Sequence, residues 1–169
     1  TSSSSWSADR DSNPSLAAAA IYKAAIDAAP DESECRCERA EQLERRQPNE
    51  AKRLYAEAME AEPTNSDCSA NFAIFLDEAE DPRADEQYRR TIELMPANPT
   101  VIGNYGYWHS LQGDMESAHR LYAQASRMPD ITPLHLCSYA VLLLDAKLRP
   151  DVAAQTRVAE ARAAFKRAQ

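Results

Sequence analysis

The chain has 169 residues, with 27 acidic side chains against 19 basic ones and a net charge of −8. That balance repels nucleic acid phosphate, which binding proteins meet with clustered Lys and Arg, and three glycines are too few for a glycine-rich phosphate loop. The apolar fraction of 44% includes 31 alanines, so composition favours helices around a thin core over a sheet or one large globular centre.

Residues 1–13, TSSSSWSADRDSN, lack any apolar period and are rich in Ser and Asp, which predicts a disordered lead-in. Trp6 within it is either a docking residue or a plain exposed aromatic. Asn13-Pro14 reads as an N-cap followed by a first-turn proline. Leu16, Ala20, Ile21, Ala24, Ala25 and Ala28 then follow helical spacing and predict an amphipathic helix over 14–29. From Pro30 onward the chain repeats itself. Pro30, Pro63, Pro96 and Pro129 stand 33 residues apart, and Tyr22, Tyr55, Tyr88 and Tyr122 precede them by seven or eight. Small residues flank each tyrosine, Ala18, Ala51, Ala84 and Ala118 four before it, and Ala25, Ala58, Thr91 and Ala125 three after. A fixed period in this range is the signature of stacked supersecondary units.

The expected organisation is a half-repeat over 14–30, repeat one over 31–63, repeat two over 64–96, repeat three over 97–129 and an extended repeat four over 130–169. Repeat one has helices near 33–46 and 48–62, the first heavily charged, the second opened by Pro48 with Tyr55 and Met59 facing the core. In repeat two, Phe72, Phe75 and Leu76 are core positions, and Asp81-Pro82 reads as cap and first-turn proline. In repeat three, Gly113 is the expected C-cap and Asp114 caps the next helix. Repeat four opens on Thr132-Pro133 and sets Leu136, Tyr139, Ala140 and Leu143 against Ala161, Phe165 and Ala168. The aromatic spacing stretches there to 43 residues, Tyr122 to Phe165. Lengthened helices are the expected way to absorb the extra length, since Pro150 is the one strong breaker.

The pattern A-x-x-x-[YF]-x-x-[AT] with proline at the next boundary resembles the second helix of the tetratricopeptide repeat. N-F-A-I-F-L at 71–76 and N-Y-G-Y-W-H at 104–109 resemble its first helix, where Ala73 and Gly106 permit close approach. The resemblance covers about 14–169. It implies an all-α, right-handed α-solenoid of stacked antiparallel helix pairs, in which first helices line a concave groove. Mapped onto Ala40, Ala73, Gly106 and Ala140, the groove positions are Glu34, Cys37, Glu41 and Glu44, then Asp67, Ala70, Ile74 and Asp77. Repeat three supplies Thr100, Gly103, Tyr107 and Ser110, and repeat four supplies Leu134, Cys137, Val141 and Leu144. That surface runs from acidic to apolar and would suit a basic and apolar peptide or helix; a solvated acidic face is the plain alternative. The carboxylate clamp of chaperone-binding members maps to Cys37, Glu41, Asn71, Thr100 and Asn104, of which only Asn71 fits, and Glu41 would repel a carboxylate.

His109, His119 and His135 form no nucleophile-and-base order with Ser, Cys or Asp. Cys35-x-Cys37 is half of a zinc site at most. By register Cys68 stacks one repeat from Cys35 with the helices about 10 Å apart, so these thiols, with Cys137, are expected to be small buried hydrophobes in a reducing compartment. The apolar run Tyr139–Leu144 is too short to span a bilayer. The expectation is therefore a non-enzymatic, cofactor-free and metal-free protein-interaction module, not membrane-spanning and cytoplasmic, with an organellar lumen or matrix left open. Its partners are proteins or peptides, with no nucleic acid. The alternative is a structural scaffold subunit built permanently into a larger assembly.

Overall fold

The computed structural model describes residues 18, 20–24, 28, 33–145 and 149–168, all helix or turn and connection, with no strand among them. Residues 1–13, Trp6 and the Asn13-Pro14 cap lie outside these; of the helix expected over 14–29, residues 18, 20–24 and 28 are described and are helical. The described chain divides into two compact units, one ending at Cys68 and the other beginning at Ser69.

The first unit holds α1 (Ser33–Leu43), α2 (Pro48–Ala61) and the opening turn of α3 (Ser66–Glu78). Proline at the head of α2 costs no hydrogen bond, because first-turn N–H groups have no intrahelical acceptor. Ala40, Ala51 and Ala58 are fully buried, and Leu43, Leu54, Tyr55 and Met59 fill the space that their small side chains leave. Asn65 starts α3 by accepting the Cys68 N–H at 3.0 Å, while its amide donates to buried Ser33 Oγ at 3.1 Å.

Cys37 and Cys68 form a disulfide across a Cα separation of 5.7 Å. This corrects the expectation of scattered thiols. The register argument paired Cys68 with Cys35, whereas Cys37, two residues further on and on the buried face, is the residue that meets it. Cys35 and Cys137 remain free and half-buried. The expected reducing cytoplasm rested on four unpaired thiols, and this bond removes two of them.

The second unit continues α3 and adds α4 (Ala84–Leu94), α5 (Pro99–Leu111), α6 (Met115–Ala125), α7 (Pro133–Leu143) and α8 (Ala154–Arg167). Successive helices pack from α4 to α8, and α5 also meets α7. Caps mark the starts: Asn98 Oδ1 accepts from Thr100 and Val101 N–H, Asp114 from Ser117, and Thr132 from His135. Gly113, at φ +81°, closes α5 in the left-handed region. Asp81 acts one turn earlier than expected: its carboxylate accepts the Arg83 N–H at 3.0 Å, and α4 begins only at Ala84.

Two expectations for the last pair fail. α7 ends at Leu143 and α8 begins at Ala154, so the extra residues lie between the helices rather than lengthening them. Pro150 has no N–H to continue a helix, and Arg157 reaches back to the Arg149 and Val152 carbonyls. Phe165 is 40% exposed; Ala161 and Ala164 form the buried face against Ala140 and Leu143.

Candidate interaction surface

In two of the helix pairs the second-helix tyrosine reaches back to the end of the first helix. Within the first unit, Tyr55 donates its hydroxyl to Glu44 at 2.6 Å. Within the second, Tyr88 donates to Asp77 at 3.1 Å. The corresponding residue for Tyr122 is Ser110, whose own hydroxyl donates to the Tyr107 carbonyl at 2.6 Å, and the buried Tyr122 Oη makes no hydrogen bond of good geometry, the Ser110 and Ser138 hydroxyls near it only offsetting part of the rise that burial gives its pKa. Burial pushes the Asp77 carboxyl above the usual carboxylate range; the Tyr88 hydrogen bond pulls it back and Glu78 adds to the rise. Burial likewise raises the Tyr88 hydroxyl, with the Asp77 charge adding to it. Glu44 and Asp77, two of the expected partner-facing acids, thus serve first to hold their own tyrosines.

The other mapped positions separate by exposure. In the first unit Glu34, Glu41 and Asp67 are exposed carboxylates, while Cys37 is buried in the disulfide. In the second, Asn71 and Ile74 are half-buried, and Thr100 is exposed. Gly103 is buried with no room for a side chain: a Cβ there would lie 2.5 Å from the His135 ring. That ring is fixed at both nitrogens, Nδ1 accepting from the Thr132 hydroxyl at 2.8 Å and Nε2 donating to Asn104 Oδ1 at 3.0 Å. Burial depresses its pKa, which keeps it neutral. Asn104 is therefore a structural acceptor, a role invisible in the spacing because its partner is 31 residues away.

Several of the large apolar side chains left outside the core lie on α7 and its neighbour α5, while Ile21, Met115, Val158 and Phe165 are exposed elsewhere. Leu134 is 72% exposed, Val141 62%, Leu144 45% and, on α5, Tyr107 49%. Leu134 and Val141 are seven residues apart, two helical turns, so with Leu144 they share one face of α7. One buried polar cluster, on α3 and α4, is fully satisfied. Gln87 Nε2 donates to Ser69 Oγ at 2.9 Å, that hydroxyl lies 2.8 Å from Thr91 Oγ1, and the Thr91 hydroxyl reaches the Gln87 carbonyl at 2.8 Å. His109 stacks on Tyr105 at 4.5 Å between ring centroids and faces Asp114 at 3.2 Å. Among the described residues no group of three His, Cys, Asp or Glu is placed to hold a metal ion, and no helix is long and apolar enough to cross a membrane.

No protein-family model matches the chain, and no curated protein matches it. Solved structures do. A crystal structure of MamA superposes with a TM-score of 0.71 at 16% identity, covering 86% of this chain and 85% of that one. A second MamA crystal structure gives 0.71 at 15% identity, covering 86% and 80%. At such identity the likeness concerns fold alone: the chain is an all-α, tetratricopeptide-like α-solenoid of paired helices.

Proposed function

We propose that this chain is a non-enzymatic protein-interaction module whose first-helix surfaces hold a peptide or helix with basic and apolar residues. The observation that carries the reading is the exposed apolar stripe of Leu134, Val141 and Leu144 with Tyr107. A single exposed leucine means little, but four large apolar side chains on adjoining helices lose free energy to water that a partner would recover, at about 25 cal/mol per Å² covered. In the first unit, Glu34, Glu41 and Asp67 would favour basic residues, in a salt-dependent way.

The test is affinity purification with matched variants. Leu134→Asp and Val141→Asp should release a partner that the parent chain retains, while Glu41→Gln with Asp67→Asn should weaken retention chiefly at low salt. Retention of every partner by all of these variants would overturn the assignment. A scaffold subunit is the second reading, favoured by Val158 and Phe165, 39% and 40% exposed and two turns apart on α8. Light scattering separates the two: a concentration-independent monomer counts against a permanently incorporated subunit, and self-association abolished by Phe165→Glu supports it.

A further inference from the structure

The second unit contains a cleft of about 460 Å³ between α6, α7 and α8, away from the exposed stripe of α7. The room exists because α8 meets α7 through Ala161 and Ala164 instead of large side chains. The apolar wall is Leu136, Tyr139, Leu143 and Ala164, and the polar rim carries Arg127, Arg149 and Arg167 against one acid, Glu160. Glu160 is taken up by Arg149, whose guanidinium lies 2.5 Å from its carboxylate. Arg167 donates to the Ser126 carbonyl at 2.6 Å, a neutral acceptor that orients the guanidinium and leaves its charge uncancelled. Arg127 makes no side-chain ion pair among the described residues. Two unneutralised guanidinium groups therefore face one apolar cleft in a chain whose net charge is −8. His119 also lines the cleft, its buried Nε2 without a hydrogen-bond partner.

We propose that this cleft binds a small amphipathic carboxylate, its hydrocarbon body against Leu136, Tyr139 and Leu143 and its carboxylate between Arg127 and Arg167. A guanidinium fork suits a planar carboxylate, and the volume lies in the range of small-molecule sites. A bare inorganic anion would leave the apolar wall unused, and a neutral lipid tail would leave the arginine pair without a partner.

The test is titration of the full chain, with methyl-labelled Leu and Ala, against octanoate, octanamide and inorganic phosphate in parallel. Octanoate should produce saturable shifts at the Leu136, Leu143, Ala123 and Ala164 methyls, with octanamide at least about ten-fold weaker and phosphate leaving those methyls unmoved. Arg127→Gln, at an exposed residue without an ion pair, should weaken octanoate by about ten-fold with an unchanged circular dichroism spectrum. Ala163→Phe at the exposed rim should block entry and serves as the second variant if the first alters the fold. Equal binding of octanamide, equal methyl shifts with phosphate, binding at millimolar probe only as an adventitious additive, or shifts confined to the Leu134 and Leu144 methyls would each overturn the proposal.

Discussion

The two units solve the same packing problem with different means. In the first, α1 reads SECRCERAEQL and buries only Ser33, Cys37, Ala40 and Leu43. So small an apolar face leaves little to gain from burial, and a covalent bond from Cys37 to Cys68 fastens that helix to the start of α3. In the second, α5 buries Val101, Ile102 and Tyr105 along with two glycines that allow close approach, and aromatic rings stack from Tyr88 through Tyr105 to Trp108 at 5.2 and 5.9 Å. Where side chains are large enough to interlock, no crosslink is used. A helix register can thus be kept by different physical means along one chain.

The sharpest way to break this comparison is Cys37→Ser. Closing a loop with a sequence separation of 31 restricts the unfolded chain by about 3–4 kcal/mol. Amide exchange should show α1 and α2 losing about that much protection, and reductant should do the same to the parent chain, while α5 and α6 keep theirs. Unaltered protection in α1 would mean that packing alone holds the first unit. Next comes Gly103→Ala, which drives a methyl into the His135 ring. Because Thr132 and Asn104 hold that ring, denaturant unfolding should show a loss of about 1–3 kcal/mol, and most of it should vanish in the Gly103→Ala, His135→Ala double variant. Additive losses would place the strain elsewhere.

The tyrosines give a finer test. Tyr88→Phe strands the half-buried Asp77 carboxyl and should cost about 1–2 kcal/mol. Tyr122→Phe removes a hydroxyl with no well-formed hydrogen bond and should change stability by less than about 0.5 kcal/mol or improve it. Ser110→Asp should then restore the tyrosine dependence at position 122, since it supplies the acceptor that Asp77 offers Tyr88.

The smallest effect is a pH slope confined to the second unit. Burial depresses His135 and His119 below the ordinary histidine value of 6.5, with the Arg149 charge adding to the fall at His119. Below pH 6.5 the unfolded chain takes up protons that the folded chain still refuses, so stability present above that value is lost as pH falls toward the depressed folded values. Urea midpoints between pH 7 and 5 should decline, and His119→Gln should flatten the decline.

Much of this architecture was legible in the residues. Proline at a helix start and tyrosine between two small residues are local signals, and α2, α5, α6 and α7 begin at or within a residue of where their caps and prolines put them. Register also put Tyr107, Leu134 and Val141 on the outer side of their helices, where they are exposed, but it put Cys37 and Gly103 there too, and these are buried. What escaped was whatever depends on helix rotation and long-range pairing. In α8, AQTRVAEARAAFKR, alanine occurs on several faces, so its buried side was not marked and Phe165 was assigned inward. Cys37 meets Cys68 through the phase of α1, two residues from the one that a repeat count selects. Glu44 and Asp77 looked partner-facing because spacing reports the face of a helix, not the tyrosine that arrives from the next one.

The tyrosine-to-carboxylate contact has a consequence for protein engineering. Residues 66–94 contain a helix pair in which Tyr88 has its acceptor and the Ser69, Gln87 and Thr91 side chains satisfy one another. The pair spanning 99–125 resembles the tetratricopeptide pattern more closely yet leaves a buried phenol without a well-formed hydrogen bond. Anyone concatenating a segment of this chain into a regular synthetic array should copy the former, because a defect tolerated once becomes additive when it is multiplied by the number of copies.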